Sequence, residues 1–356
     1  SICLAYAGDG RESTRELDRA LSREIAPRID VLLAQRYAGA ATEGGRSVTI
    51  EWDEAEWITP FRYSLASALG MAVPDSLEDV DGEIDWYRRF DALSPAKSLA
   101  ERAAGAEIAG TEGVLSGRAM VDLYSQIYAD DNVTGEPREL SIALREAYVA
   151  QSGPDRLDAM RTIWGPDAAY GRLVLTAYAA ARVDPSEDLA DEAGLLIASM
   201  LSAGLDRNAM RWGRVVSTGS TGWALLALAQ PSRDGTVSSG GIDSFIDDDD
   251  SAGQRKSRFL VAGLAGLGRI DSGTASSYSN RFGLNLGRES DWSRIIARAA
   301  EVNNPALVAM LAGLGMQGSG WDKMTARNLY YIVRSLNQVG LSAEARMIAA
   351  EAVARG

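Results

Sequence analysis

Leu260-Val261-Ala262-Gly263-Leu264-Ala265-Gly266-Leu267-Gly268 recurs, with one change, as Leu307-Val308-Ala309-Met310-Leu311-Ala312-Gly313-Leu314-Gly315. Eight of nine residues match, at an offset of 47. Small Ala and Gly on such helices let backbones approach closely, and the trailing Gly268 and Gly315 suit the left-handed cap that ends many helices. A unit in the forties is long enough for two helices and their turns, a size at which a helix pair cannot bury its apolar face without neighbours. A fainter relative, Leu173-Val174 through Arg182-Val183, aligns with Leu260-Val261 through Arg269-Ile270 at an offset of 87, close to twice that period. Between them, Trp223-Ala224-Leu225-Leu226-Ala227-Leu228-Ala229 has the same Ala/Leu character.

In unit size this pattern resembles helical-repeat solenoids of the TPR or HEAT kind, although the tryptophan-to-proline signature of TPR units is missing. Outward from the repeat, helical patterns alternate with short Gly/Pro/Asn/Asp breaks. Asp184-Pro185-Ser186-Glu187 and Asn304-Pro305 mark helix starts, and Ser94-Pro95 reads as an N-cap followed by proline in the first turn. Residues 325–355 read as two helices hinged at Gly340, which would close the array as a terminal cap. Toward the N-terminus, Leu17, Leu21, Ile25, Ile29, Leu32 and Leu33 predict a helix over 12–37, which Pro27 should kink or split. After a glycine-rich break (Gly39, Gly44, Gly45), Val48-Thr49-Ile50-Glu51-Trp52 alternates weakly and is the best strand candidate. The acidic run 75–85 behind Pro74 reads as a linker. The expected fold is therefore all-α: stacked helix pairs, as an α-solenoid or α/α superhelix, with at most a short strand near residues 48–52. Its expected regions are an N-terminal helical region (1–74) and a repeat body (75–356) capped by 325–355.

At 356 residues with 46% apolar side chains, the chain has ample core material, and no window approaches eighteen uninterrupted apolar residues. A net charge of −13 without a basic block disfavours nucleic acid, which needs clustered Lys and Arg to displace counterions. Lysine occurs only at Lys97, Lys256 and Lys323; with the abundant alanine, that bias suggests a GC-rich bacterial source. Ser1 begins without a charged or apolar leader segment, so no signal peptide is expected; the compartment is open, with cytoplasmic favoured over periplasmic. There is no histidine, which removes Ser-His-Asp and Cys-His catalysis and histidine-bound metals. A single cysteine, Cys3, allows neither an internal disulfide nor a cysteine-rich metal site. No cofactor is expected.

Four local motifs compete with bland readings. Gly313-Leu314-Gly315-Met316-Gln317-Gly318 spells the dinucleotide fingerprint but follows a helix where the motif needs a strand. The stretch from Leu77 to Asp85 has the spacing of a calcium loop, yet Leu77 and Arg88 fall where the first and twelfth ligands belong, so it reads as a solvated acidic linker. Ser94-Pro95-Ala96-Lys97 matches the Ser-x-x-Lys dyad of penicillin-binding enzymes, and Tyr278-Ser279-Asn280 resembles their second motif; the third, Lys-Thr-Gly, is absent. Asp243 and Asp247-Asp248-Asp249-Asp250, in a Gly/Ser/Asp loop, read as a flexible surface loop or, functionally, as a cation site or a docking patch for a basic partner.

Three functional classes follow. The first is a non-enzymatic helical scaffold binding a protein or peptide partner. The second is an α/α-toroid carbohydrate-active enzyme using paired carboxylates, which needs no histidine; Asp167, Asp206, Asp291 and Asp322 all sit near helix starts, where Asp also serves as a cap. The third is a subunit of a larger assembly. Whether Trp86, Trp164, Trp212, Trp223, Trp292 and Trp321 converge with carboxylates in one pocket separates the enzyme from the scaffold.

Overall fold

A computed structural model describes residues 1–41, 48–77, 83–231, 236–318 and 320–356. Among these residues the chain is all-α, a set of mutually packed helices with short 3-10 turns and no strand. Residues 48–51 have no regular structure and Trp52–Glu54 is a 3-10 turn. A lone alternating segment has no ladder partner here, and an unpaired strand is not stable.

The helices fall into two packing units, Ser1–Ile142 and Ala143–Gly356. Unit 1 holds α1 (Ile2–Tyr6), α2 (Gly10–Ser22), α3 (Arg28–Ala41), α4 (Pro60–Ala68), α5 (Glu83–Arg88), α6 (Leu99–Thr111), α7 (Gly117–Ala129) and the start of α8 (Glu136–Val149). The helix expected over 12–37 is split, as proline demands. The chain leaves α2 at Ser22, and the Pro27 carbonyl accepts the Asp30 and Val31 N–H groups to open α3. Leu17, Ile29 and Leu33 of the predicted stripe are buried, whereas Ile25 lies in the break and is exposed.

Ser94 does not start a helix. It ends the 3-10 turn Arg89–Leu93, and Ser98 opens α6 through a reciprocal capping box with Glu101. Gly105 of α6 admits the backbone of that turn, because a Cβ there would lie 2.9 Å from the Ala92 nitrogen. The packing units divide inside α8; residues 78–82 of the acidic run after Pro74 lie outside the described residues. α4, before that run, packs with α5, which begins within it.

Unit 2 runs through α9 (Gly153–Trp164), α10 (Tyr170–Ala180), α11 (Ala193–Ser202), α12 (Asp206–Met210), α13 (Thr221–Ala229), α14 (Ser239–Asp247), α15 (Arg255–Leu267), α16 (Ser272–Phe282), α17 (Asp291–Glu301), α18 (Pro305–Gly315), α19 (Ala326–Gln338) and α20 (Ser342–Arg355). Packing proceeds from α9 through α10, α11 and α13 to α15, then from α15 to α19, which also touches α17 and α18. Most of these helices start on a side-chain cap, among them Ser152, Ser220, Ser238, Asp271, Ser290, Asn304 and Thr325.

The final hairpin turns at Gly340, at φ +88°, where glycine carries no Cβ penalty. Its second helix, α20, seats against α11, α13, α15 and α19. Its buried Ala345, Ala349, Ala350 and Ala352 allow that close approach, and Gly263 of α15 meets it with Ala349 Cβ 3.0 Å from where a side chain would begin.

Arginine has a recurring structural use. Arg138 donates to the Ile127 and Tyr128 carbonyls at the end of α7, and Arg156 to those of Ala147 and Ala150 at the end of α8. Arg269 donates to the Ala227 and Gln230 carbonyls at the end of α13, and Arg346 to that of Ala229. The last carbonyls of a helix lack intrahelical partners and carry the negative end of its dipole. A planar guanidinium can serve two of them at once, which an ammonium does less well. Burial, then the nearby charge of Arg346, pushes Arg269 down to about 10, which leaves it protonated at neutral pH.

Candidate functional site

The structure distributes the residues that the sequence singled out. Asp243, on α14, accepts from the Tyr278 hydroxyl at 3.0 Å and from Arg281 at 3.1 Å. Burial and that hydrogen bond push the Tyr278 phenol up to about 12. Asp249 accepts from the backbone and side chains of both Ser251 and Ser257, tying the loop to the start of α15. Its partial burial disfavours the charge, but these four bonds outweigh it and hold the carboxyl below its ordinary value. Asp247, Asp248 and Asp250 are not engaged in this way, and Asp247 and Asp248 lie exposed at the end of α14. Among the described residues no group of three or more acidic or cysteine side chains is arranged to hold a metal ion. Two members of the acidic run are thus occupied in holding the fold.

The Ser94–Lys97 dyad is likewise occupied: Ser94 donates to the Ser67 carbonyl, and Lys97 to the Met71 carbonyl and Glu101. Tyr278 and Ser279 are buried in α16, a helix of the other unit. Gly313 and Gly315 close α18, so the glycine fingerprint follows a helix and no strand. Gly315 is not a left-handed cap, unlike Gly268 at φ +69°. It is small because the Trp292 indole lies across it.

The four candidate acids do not converge. Asp206 pairs with Arg346 at 2.9 Å, Asp291 with Arg294 and Asp322 with Lys323. Asp167 lines a cleft of about 570 Å³ with Asp191, Tyr170, Lys256 and Arg355, between α10, α11 and α20. Ala168 beside it holds a left-handed φ of 45°, and burial raises the Tyr170 phenol above its ordinary value. No tryptophan lines this cleft.

The tryptophans are mostly packing. Trp164, Trp212 and Trp321 are buried, and Trp164 Nε1 donates to Thr176 at 2.8 Å. Trp223 lies on Gly241, and Trp292 donates to the Leu311 carbonyl. Trp86, in unit 1, is exposed, with the Arg89 guanidinium stacked 3.5 Å from its ring centroid.

What sequence reading missed is the edge formed by α17 and α18. A groove of about 520 Å³ is walled there by Ile295, Ala299, Val302 and Leu307, with Asp291, Arg294 and Arg298 at its rim. Ile295 is 54% exposed, Val302 60% and Met310, on the outer side of α18, 74%. The rim charges are paired along α17, Asp291 with Arg294 and Arg298 with Glu301, so the floor of the groove is apolar and the rim neutral. A legible signal existed: α18 is apolar on every side, a pattern proper to a covered helix, and Ile295 of α17 and Val302 at its C-cap add apolar positions beyond its buried Ile296 and Ala300.

Among the described residues no helix is long and apolar enough to cross a membrane. Compared with known protein families, with curated proteins and with solved structures, the chain matches none.

Proposed function

We propose that the chain is a non-enzymatic helical scaffold that seats an amphipathic helix of a partner protein in the groove between α17 and α18. The observation that carries this reading is the exposed apolar surface of Ile295, Val302 and Leu307 in the groove, with Met310 and Leu314 also exposed on α18. Contiguous apolar surface of this kind marks interaction sites. Ile295, Ala299 and Val302 recur at steps of four and three, the ridge that a partner helix with the same spacing fits. The chain itself supplies the analogy for the occupant. On α15 the matching nonapeptide is covered by other helices, α13 and α20 among them, whereas on α18 the outer face is open. Met310 stands where α15 has Gly263, and a flexible thioether adapts to the shape it packs against.

The carbohydrate-active alternative has less support. Its best acids, Asp167 and Asp191, share a cleft without any tryptophan to stack a sugar. A subunit role in a larger assembly would use the same groove permanently.

The test places a photo-reactive residue at Val302 or Leu307, with exposed Val114 of unit 1 as control, in the chain expressed in its native cells. Support consists of one protein crosslinked at both groove positions and not at Val114. Its crosslinked segment, made as a peptide, must also bind the purified chain as a helix and lose that binding on Val302→Asp. Crosslinks to a second copy of the chain, with a dimer in sedimentation that Val302→Asp dissociates, would overturn the reading. So would a segment that fails to bind.

A further inference from the structure

A second cleft, of about 450 Å³, lies elsewhere in unit 2, where the start of α15, the end of α16 and the start of α19 meet. Its volume falls in the range of small-molecule sites. Three arginines line it: Arg255 and Arg258 from α15, and Arg327 from α19. Phe259, Leu284 and Met324 supply apolar lining, and no acidic side chain is among the residues that form it.

The charge balance is what singles this cleft out. In a chain of net charge −13, many arginines elsewhere are taken up by carboxylates or by helix-end carbonyls, as Arg62 is by Asp30 and Arg269 by α13. Among the described residues, none of Arg255, Arg258 and Arg327 has a carboxylate within 4.0 Å or a hydrogen bond to a carbonyl; Arg258 instead lies over the Phe282 ring, 5.8 Å from its centroid. In the acidic loop before α15, Asp249 is turned to Ser251 and Ser257, where it already satisfies the helix start, and Asp250 is exposed and not part of the lining. The N-terminus of α15 is therefore used, and the guanidiniums alone carry the positive potential. Like charges gathered in one cleft without counter-ions repel one another, and an anion relieves that repulsion.

We infer that this cleft binds a small organic anion through its oxyanion group, a phosphate or a carboxylate, held by the forked donors of Arg255, Arg258 and Arg327, with its apolar portion against Phe259, Leu284 and Met324. Planar guanidiniums match both oxyanions in bidentate fashion. The site is independent of the α17–α18 groove and stands or falls without it.

Calorimetric titration of the full chain in phosphate-free buffer tests it, with inorganic pyrophosphate and citrate as separate probes. The expected result is saturable one-site binding of at least one probe, weakened by added salt. Arg255→Gln, Arg258→Gln or Arg327→Gln should each weaken it about tenfold, the scale of one charge-assisted contact. The corresponding lysine substitutions should weaken it less, and Arg214→Gln, an exposed arginine outside the cleft, should leave it unchanged. Pyrophosphate bound more tightly than citrate assigns the site to phosphates, and the reverse to carboxylates. The inference is overturned if neither probe saturates by about 1 mM. It is equally overturned if the triple glutamine variant, with an unchanged melting curve, binds as the parent does.

Discussion

Helices α15 and α18 carry the same nonapeptide but for one residue, and they take opposite places in unit 2. In α15, Leu260, Val261, Ala262 and Leu264 are completely buried; in the α18 nonapeptide Val308 and Ala312 are covered while Leu307, Met310 and Leu314 face outward. Both touch α19, but α15 is also enclosed by α13, α14, α16 and α20, whereas the other main neighbour of α18 is α17. The single difference falls where the surroundings diverge. Gly263 lies where Leu228 and Ala349 approach a missing side chain to 2.9 and 3.0 Å, and Met310 lies on an open face. An apolar repeat thus fixes that a segment is helical, and one small residue decides whether neighbours can close over it.

That comparison is sharpened by exchanging the one residue that differs. Gly263→Met gives α15 the α18 sequence and should cost about 3 kcal/mol, the upper end for overpacking, read by urea denaturation followed through tryptophan fluorescence. Arg346→Ala removes the donor shared by Asp206 and the Ala229 carbonyl, and about 2 kcal/mol should be lost in the same measurement, since Asp206 keeps some contact with water. Gly315→Ala sets a methyl against the Trp292 indole and should lower stability by about 1–2 kcal/mol while shifting the tryptophan emission. The reciprocal exchange, Met310→Gly, should cost about 1 kcal/mol, the helix-propensity difference alone, because the side chain is mostly in solvent. Equal costs for Gly263→Met and Met310→Gly would break the comparison. The smallest effect concerns the acidic loop. Asp249 has a folded pKa below its ordinary value, so its contribution to stability is present above about pH 4 and fades as the pH falls through the lower, folded value. Asp249→Asn should flatten that acid limb of the stability–pH curve.

The helical class, the break at Pro27, the cap at Asn304 and the left-handed Gly268 were all readable, because each rests on local backbone chemistry. The place of α20 was not, since its Ala-rich face fits a terminal position as well as a central one, and only three-dimensional packing selects between them. The same holds for Gly315, which reads as a cap but serves a tryptophan. Neither candidate site was read from the sequence. Arg255 and Arg258 come from one helix and Arg327 from another more than fifty residues on, and the absence of a carboxylate beside them leaves no trace in composition. The arginine bias, which alone suggests only codon usage, has a structural counterpart in the helix ends that these side chains close.

Arg346 reaches Asp206 and the Ala229 carbonyl across 140 and 117 residues of chain. Translation proceeds from the N-terminus, so α11, α13 and α15 leave the ribosome well before the helix that will lie among them. Until residues 342–355 emerge, three apolar faces wait together without their common neighbour, and this interval is when a chaperone would find the nascent chain.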